Sequence, residues 1–232
     1  MAAALYASVG HGGASAYLAA MALAGMSPGV MKPTALVLNI LVSGIAAARF
    51  CRAGCFKPRL FRPFAAASIP AAFLGGLTSP GDQTYRIVVG IVLVFAAIRL
   101  FLSVRTADAA PARVPSTGVS LVAGAVIGWL SGLVGVGGGI FLSPLLLLVR
   151  WADPRSTAAV SAVFILVNSV SALAGHLASL GSLPEALPCW AAAAVLGGFA
   201  GAQYGSRYSS MALLRRLLAA ALLVAAAKLI FQ

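Results

Sequence analysis

The chain has 232 residues, of which 61% are hydrophobic and only 9% are charged, whereas about 25% of the residues of a soluble domain are charged. So few charges cannot cover a soluble surface of this size, and the composition therefore predicts a helical membrane protein. The net charge of +12 would suggest nucleic-acid binding in a soluble protein. In a membrane protein it favours basic residues beside the cytoplasmic ends of helices, so no nucleic-acid partner is expected.

Apolar stretches that could cross a bilayer recur along the whole chain. A spanning helix needs about 20 mostly apolar residues, and eight stretches approach that length, some with help from their flanks: 2–25, 35–48, 63–77, 87–102, 119–149, 158–180, 187–202 and 211–231. The stretch 119–149 would be about 46 Å long as one helix, which exceeds the roughly 30 Å core of a bilayer. Glycines in its middle predict two crossings, or one crossing and a re-entrant arm. The predicted fold is an all-α membrane protein with eight or nine membrane segments.

The second half of the chain repeats the first half in four blocks that keep their order. The matched pairs are Gly10 to Gly13 with Gly135 to Gly138, Pro28 with Pro154, 71–76 with 193–198, and 96–100 with 225–229. Between these blocks, Thr34 and Asn39 find counterparts near Ser161 and Asn168, within about one helical turn. We therefore expect two transmembrane repeats, at 1–102 and 117–232, joined by a hydrophilic linker at 103–116.

Loop charges indicate that the two repeats have opposite orientations. The loop 49–62 carries five basic residues, whereas its counterpart at 179–184 carries none, and the next pair of loops reverses this bias. Basic loops lie on the cytoplasmic side of a membrane. The repeats are therefore predicted to be inverted, as is common in secondary transporters, and the loop 49–62 is predicted to face the cytoplasm beneath a bacterial inner membrane.

The two glycine motifs are the strongest candidates for a binding site. Broken backbone inside a membrane survives only where protein buries it or where it lines a cavity. The N–H groups freed by such a break, with the N-terminus of the following half-helix, can bind an anion. Helix packing through glycine is the alternative, but two matched breaks favour a midplane site. Its predicted residues are Gly10, His11, Gly12, Gly13 and Ser15 in the first motif and Gly135, Gly137, Gly138 and Gly139 in the second.

Further polar residues in or beside the apolar stretches complete the predicted site. The ordinary role of Thr34, Asn39, Ser161 and Asn168 is hydrogen bonding between helices. Lining an anion path is the alternative, which we favour most for the two asparagines because a buried amide is costly. Lys32 is interpreted either as a loop cation at the membrane surface or as a charge that draws anions towards the site.

The same motifs carry a resemblance to a known family. Residues 135–139, the following Pro144, a Pro-x-x-x-Ala sequence at 154–158 and the Ser- and Asn-bearing helix after it resemble the sulfite exporter TauE/SafE family. The runs 6–15 and 31–39 strengthen the match, which covers essentially the whole chain. The resemblance implies export or uptake of small sulfur-containing anions such as sulfite, organosulfonates or thiosulfate. The main departure is that only nine residues precede the glycine motif of the first half. We expect either that this half lacks the leading helix or that the native start lies upstream of Met1, which leaves eight or nine crossings.

The leading hypothesis is a secondary transporter of small sulfur-containing anions that has no cofactor or metal site and is not an enzyme. An anion channel is one alternative, since sequence separates it poorly from a transporter. An intramembrane hydrolase that uses Ser131 and His176 is a second, but no acid would orient its histidine. The four acidic residues lie in or beside loops, so a carboxylate-based cation site is not expected. The expected partners are the substrate anion and membrane lipid, and a homodimer is compatible with the sequence.

Overall fold

The computed structural model describes residues 13–78, 80–101, 115–177, 184–204, 222–224 and 226–231. These residues form helices without strands. The helices are α1 (Ala14–Leu23), α2 (Pro28–Arg52), α3 (Pro58–Leu77), α4 (Asp82–Phe101), α5 (Thr117–Val134), α6 (Gly139–Leu148), α7 (Pro154–His176) and α8 (Leu187–Tyr204), followed by a C-terminal segment that is helical at 222–224 and 226–231. Among the described residues, α2, α3, α5 and α7 are long and apolar enough to cross a membrane. The prediction of an all-α fold is confirmed for this part of the chain.

Prolines mark where three of the long helices begin. Pro28, Pro58 and Pro154 each lie in the first turn of a helix, where the missing N–H costs nothing and the fixed φ suits the helix. Because Pro28 and Pro154 are counterparts in the sequence repeat, α2 and α7 begin at equivalent positions. Counting from these starts pairs Asn39 with Ile165, about one turn before Asn168.

Helix α2 extends further towards its N-terminus than its apolar stretch, which begins at residue 35. Lys32 therefore lies inside α2, where it is buried, and its interpretation as a loop cation is wrong. Pro33 lies inside α2 and does not stop it. It removes one internal hydrogen bond, the one that an N–H at this position would donate to the carbonyl of Gly29. The ammonium group is buried because carbonyl groups of α3 receive it, as described below.

Helices α3, α5 and α7 run in the same direction and pack through small residues. On α5, Gly124, Gly128 and Gly132 face successive turns of α3, and a Cβ atom on any of them would collide with α3 backbone. On the other side of α3, the Ser171 hydroxyl of α7 donates a hydrogen bond of 2.6 Å to the carbonyl of Ile69. Glycine at such crossings lets helices approach closely, which is how helices associate in lipid.

Helix α2 packs against α7 in the opposite direction and against α8 in the same direction. Leu36 meets Ala172, whereas Ala46 meets Ala162, so positions rise along α2 as they fall along α7. Leu38 and Val42 pack against Ala194 of α8. Further along both helices, the guanidinium of Arg49 lies 4.3 Å from the centroid of the Phe199 ring.

Two ten-residue helices, α1 and α6, are each about 15 Å long. The stretch 119–149 breaks between α5 and α6, as its glycines predicted. Helix α1 leads through a left-handed turn at Gly25 into α2, and α6 leads through a turn at Arg150 into α7. Because α2 and α7 run in opposite directions, α1 and α6 end at opposite ends of the bundle, while the glycines before them, Gly13 and Gly138, are buried.

One end of the bundle, where α2 and α6 end and α3 and α7 begin, is called the basic end. It carries seven basic residues in the described part of the chain: Arg49, Arg52, Lys57, Arg59, Arg62, Arg150 and Arg155. Lys57 Nζ lies 2.9 Å from Asp153 Oδ2, and the rings of Phe64 and Trp151 are 6.0 Å apart. These contacts join the start of α3 to the start of α7.

The carboxylate of Asp153 caps α7. It accepts hydrogen bonds from the Ser156 N–H at 2.9 Å and from the Ser156 hydroxyl at 2.6 Å, in addition to the ion pair with Lys57. Partial burial raises the pKa of Asp153, but these hydrogen bonds and the positive charge of Lys57 outweigh it and hold the pKa below the usual range of an aspartate. The folded state therefore favours the ionised carboxylate.

Replacing Asp153 with Ala is expected to lower the free energy of unfolding by about 1 kcal/mol at neutral pH through loss of the helix cap. A depressed folded-state pKa stabilises the fold above the pKa of the unfolded chain, and this contribution is lost as pH falls through the folded-state pKa. The thermal midpoints of the wild-type and D153A proteins should therefore converge as pH falls below about 4. The double variant with Lys57→Met measures the ion pair, which is half exposed and should contribute no more than about 1 kcal/mol. A difference in midpoint that grows at low pH would contradict the assignment.

Candidate functional site

The candidate site is built around the loop between α5 and α6, residues 135–138, here called the glycine loop. Gly135, Gly137 and Gly138 have φ angles of 84°, 76° and 79°, a left-handed conformation that glycine adopts without a steric penalty. The Gly135 N–H ends α5 by donating a hydrogen bond of 2.8 Å to the backbone carbonyl of Ser131. The Gly138 carbonyl begins α6 by accepting from Phe141 and Leu142, both at 3.1 Å. The three glycines thus reverse the chain within four residues.

The glycine loop presents backbone donors. In the described part of the chain, the N–H groups of Gly137, Gly138 and Gly139 meet no hydrogen-bond acceptor. They lie at the N-terminus of α6, where aligned peptide dipoles give a partial positive charge. Unpaired N–H groups at a helix N-terminus bind anions such as phosphate, sulfate and carboxylate. The backbone at this position therefore suits an oxyanion.

Two side chains lie directly beside Gly137. A Cβ atom built on this glycine would lie 2.8 Å from Ser169 Oγ of α7 and 3.2 Å from Asn39 Nδ2 of α2. A Cβ atom on Gly138 would lie 3.4 Å from the Cβ of Ser131. The loop and side chains from three helices therefore converge on one buried point.

In the described part of the chain, the polar atoms at this point have no hydrogen-bond partner. Both side-chain atoms of Asn39 and the hydroxyls of Ser131 and Ser169 are fully buried without one, and so are the hydroxyl of Thr34 and Oδ1 of Asn168 elsewhere on α2 and α7. More than 90% of buried polar groups in proteins are paired, because leaving one unpaired costs about 1–3 kcal/mol. Asn39 stands out, since neither end of its amide is satisfied. Such groups are available to hydrogen-bond a substrate.

Two of the predicted residues have partners of their own. The Ser143 hydroxyl of α6 lies 2.7 Å from the Ser161 hydroxyl of α7, so Ser161 holds the half-helix against its neighbour. Asn168 Nδ2 donates a hydrogen bond of 2.9 Å to the Phe164 carbonyl one turn earlier in the same helix. Of the predicted polar side chains, the structure thus brings Asn39 to the glycine loop.

Lys32 lies at the edge of the site, with its ammonium directed away from the loop. Its Nζ atom donates to the carbonyls of Gly76 and Thr78 at 3.1 Å each and to that of Gly75 at 3.4 Å. These carbonyls end α3, where a cation is favourable. The carbonyl oxygen and Cγ of Lys32 lie 3.1 and 3.3 Å from a Cβ atom built on Gly135. Lys32 therefore links the end of α3 to the glycine loop.

The first glycine motif is described from Gly13 onwards, and Gly10, His11 and Gly12 lie outside the described residues. Gly13 has a φ of 89° and precedes α1, as Gly138 precedes α6. A Cβ atom on Gly13 would lie 2.9 Å from the Tyr17 hydroxyl, and Ser15 is buried in the first turn of α1. The two half-helices therefore begin with the same backbone geometry.

Sequence reasoning missed Ser169. It singled out Asn168, but the face of α7 towards the glycine loop carries Ser161, Ile165 and Ser169. These residues are four apart and so share one side of a helix. Counting in steps of four from Ser161 would therefore have selected Ser169 rather than the neighbouring Asn168.

The arrangement required by a hydrolase is not formed. Ser131 Oγ has no hydrogen-bond partner in the described part of the chain, so it makes no hydrogen bond to His176, which instead bonds to the backbone of Gly76. Among the described residues, no three His, Cys, Asp or Glu side chains are grouped in a way that could hold a metal ion. The described site offers hydrogen-bond donors to a ligand rather than a nucleophile with its base.

A bundle of apolar helices joined by glycine contacts, with buried polar groups around a broken helix, defines a multi-pass membrane protein of the transporter class. The family model described as "Sulfite exporter TauE/SafE" matches residues 1–229, and the chain belongs to this family. A relative from Sinorhizobium fredii (strain NBRC 101917 / NGR234), described as "Probable membrane transporter protein y4hK", is 44% identical over 229 residues, which cover 97% of this chain and 93% of the relative. No solved structure matches the chain.

Proposed function

We propose that the protein is a secondary transporter that moves small sulfur-containing anions, of the sulfite, organosulfonate or thiosulfate class, across the bacterial inner membrane. The observation that carries the proposal is the set of free N–H groups at Gly137 to Gly139 beside the unpaired side chains of Asn39 and Ser169. Donors of this kind suit the oxygens of sulfite or a sulfonate. The family description, which names sulfite export, supports the same substrate class.

Alternating access between two inverted repeats is the proposed mechanism. It is supported by the opposite directions of α2 and α7, whose sequences match. It is also supported by reciprocal packing, since α2 runs alongside α8 while its counterpart α7 runs alongside α3. The half-helices α1 and α6, which end at opposite ends of the bundle, fit the same relation. In this scheme the chain has eight or nine membrane segments, and rocking of one repeat against the other exposes the site to each side in turn.

The basic end is proposed to face the cytoplasm. Its seven basic residues, with Asp153 as the acidic residue among them, follow the positive-inside rule. A cell interior that is electrically negative then favours anion exit by about 2.3 kcal/mol per charge for each 100 mV. The proposed partners are the substrate anion and membrane lipid, and a homodimer is compatible with a site that the described residues form within one chain.

Counterflow in proteoliposomes separates a transporter from an anion channel. With alternating access, sulfite inside the vesicles should accelerate uptake of labelled sulfite from outside, and uptake should saturate with concentration. Flux that neither saturates nor responds to internal sulfite would favour the channel. Vesicles that hold the correctly folded protein and show no sulfite flux under either condition would refute the proposed function.

Replacing Gly137 with Ala is expected to abolish most of the sulfite flux. The added Cβ atom would occupy a left-handed residue at a cost of about 1–2 kcal/mol, and it would lie 2.7 Å from Ile165 Cγ2 and 2.8 Å from Ser169 Oγ. Gly54→Ala is the matched control, because Gly54 has a similar φ of 69° but no atom within 4 Å of the added Cβ. G54A should carry the same backbone penalty and keep its flux. Equal flux losses in both variants would contradict a binding role for the glycine loop.

A further inference from the structure

Lys32 is the one Lys, Arg, Asp or Glu side chain that is buried among the described residues, with 4% of its surface exposed. A buried charge is costly unless it is paired and hydrogen-bonded. The acidic residues of the described part of the chain, Asp82, Asp153 and Glu185, are exposed. The ammonium therefore has carbonyl oxygens as ligands and no carboxylate as a counter-ion.

The three donors of the ammonium are directed at Gly75, Gly76 and Thr78, so none remains to hydrogen-bond a substrate. The charge nevertheless lies near the glycine loop, since Lys32 Cγ would lie 3.3 Å from a Cβ atom built on Gly135. Gly135 and Gly137 are two residues apart, which limits the distance between their Cα atoms to about 7.6 Å. With the length of the Lys32 stem added, Nζ lies within roughly 16 Å of Gly137, where a unit charge at an effective dielectric constant of about 20 still changes anion binding about sixfold or more.

Few other charged or titratable groups of the described residues lie near Lys32. The end of α3 contributes roughly −0.5 charge and the start of α6 roughly +0.5. His176 of α7 hydrogen-bonds the Gly76 backbone and faces Lys32. Tyr85 of α4 donates a hydrogen bond of 3.1 Å to the Val134 carbonyl at the end of α5. In the described part of the chain, the positive charge available around the glycine loop therefore amounts to about one unit or less.

We propose that Lys32 determines which anions the protein accepts, because its single buried charge compensates one negative charge at the glycine loop and leaves a second one uncompensated. The inference rests on the proposed function and names the charge of its substrate. The transported species are monoanions, such as hydrogen sulfite and alkylsulfonates, and dianions of the same shape are excluded. Thiosulfate, a dianion at neutral pH, is thereby removed from the substrate classes proposed above. Lys32 acts through its field, so it is a specificity-determining residue that does not contact the anion.

Flux of three anions into proteoliposomes tests this inference. Methanesulfonate is a monoanion throughout the neutral range, sulfate is a dianion of similar size, and sulfite changes from monoanion to dianion as pH rises. We expect methanesulfonate flux without sulfate flux, and sulfite flux that falls with rising pH in proportion to hydrogen sulfite. The pH profile of methanesulfonate is the control for titration of Lys32 itself, His176 or Tyr85.

Two variants test the role of Lys32 itself. Lys32→Gln removes the charge, and methanesulfonate flux should fall about sixfold or more, as expected for loss of one cation within roughly 16 Å of a buried anion. Lys32→Arg keeps the charge, so monoanion selectivity should persist even where the rate falls. A merely structural role predicts that both variants lose flux and that the selectivity ratio of any residual flux is unchanged.

Two outcomes of the wild-type measurement overturn the inference without the variants. Sulfate flux equal to methanesulfonate flux would show that a second charge is tolerated, and sulfite flux that rises with pH would show that the dianion is carried. In either case the protein would still be an anion transporter. Absence of flux for all three anions at every pH would instead refute the proposed function.

Discussion

Gly128→Ala is expected to destabilise the protein by about 1–3 kcal/mol, the range for overpacking a close-packed core. The added Cβ atom would collide with the Ser68 carbonyl oxygen and would lie 2.6 Å from the Ser68 Cα atom. A backbone cannot rotate out of the way as a side chain can, so α3 and α5 would have to separate. Because the two helices carry Lys32's ligands and the glycine loop, flux should fall with stability. Heating in detergent followed by size-exclusion chromatography measures the loss of folded protein.

Gly118→Ala is the matched control on the same helix. A Cβ atom on Gly118 would have no atom within 4 Å, and alanine has the higher helix propensity. G118A should therefore be as stable as the wild type or slightly more stable. If the Gly128→Ala protein unfolds at the same temperature as G118A, α3 and α5 do not pack as closely as described.

Asn39→Leu is expected to abolish most of the flux while raising stability. Leucine has nearly the shape of asparagine, and it would replace an amide whose oxygen and nitrogen are both buried without a partner. Removing an unsatisfied buried polar group relieves a cost of about 1–3 kcal/mol. Sulfite flux and the thermal midpoint should therefore move in opposite directions, which a merely structural asparagine would not allow.

Ser171→Ala provides the opposite comparison. Its hydroxyl bonds the Ile69 carbonyl at 2.6 Å between α7 and α3, so its loss should lower stability by about 0.5–1.5 kcal/mol and leave flux intact.

Wild-type flux in N39L would remove Asn39 from the site. A lower midpoint in N39L would show that the amide stabilises the fold rather than serving a ligand.

The break at the glycine loop could be predicted because it follows from local chemistry. A stretch too long for one crossing, with four glycines in its middle, must turn inside the bundle, and the structure places the turn there. Asn39 could be chosen for a similar reason, since an amide in an apolar helix is costly to bury unless it makes hydrogen bonds. Both inferences use only the free-energy cost of placing a residue in its own stretch of sequence.

The environment of Lys32 could not be predicted, because it depends on another helix. Nothing near residue 32 reveals that the carbonyls of Gly76 and Thr78 end α3 beside it. Ser169 was missed for a related reason, since apolar stretches indicate a helix but leave its rotation about the axis open. Only the contacts with Gly137 fix which side of α7 faces the loop.

The ten-residue length of α6 has an electrical consequence. In the proposed transporter, an anion bound at its N-terminus would lie about 15 Å from the basic end, half of a hydrocarbon core of about 30 Å. A charge that moves from that end to the site therefore crosses about half of the membrane voltage, which corresponds to about 1.1 kcal/mol for each 100 mV. The apparent affinity on each side should then change about sevenfold for each 100 mV, in opposite senses on the two sides. The resting voltage would thus help to load the site from one side and to empty it on the other.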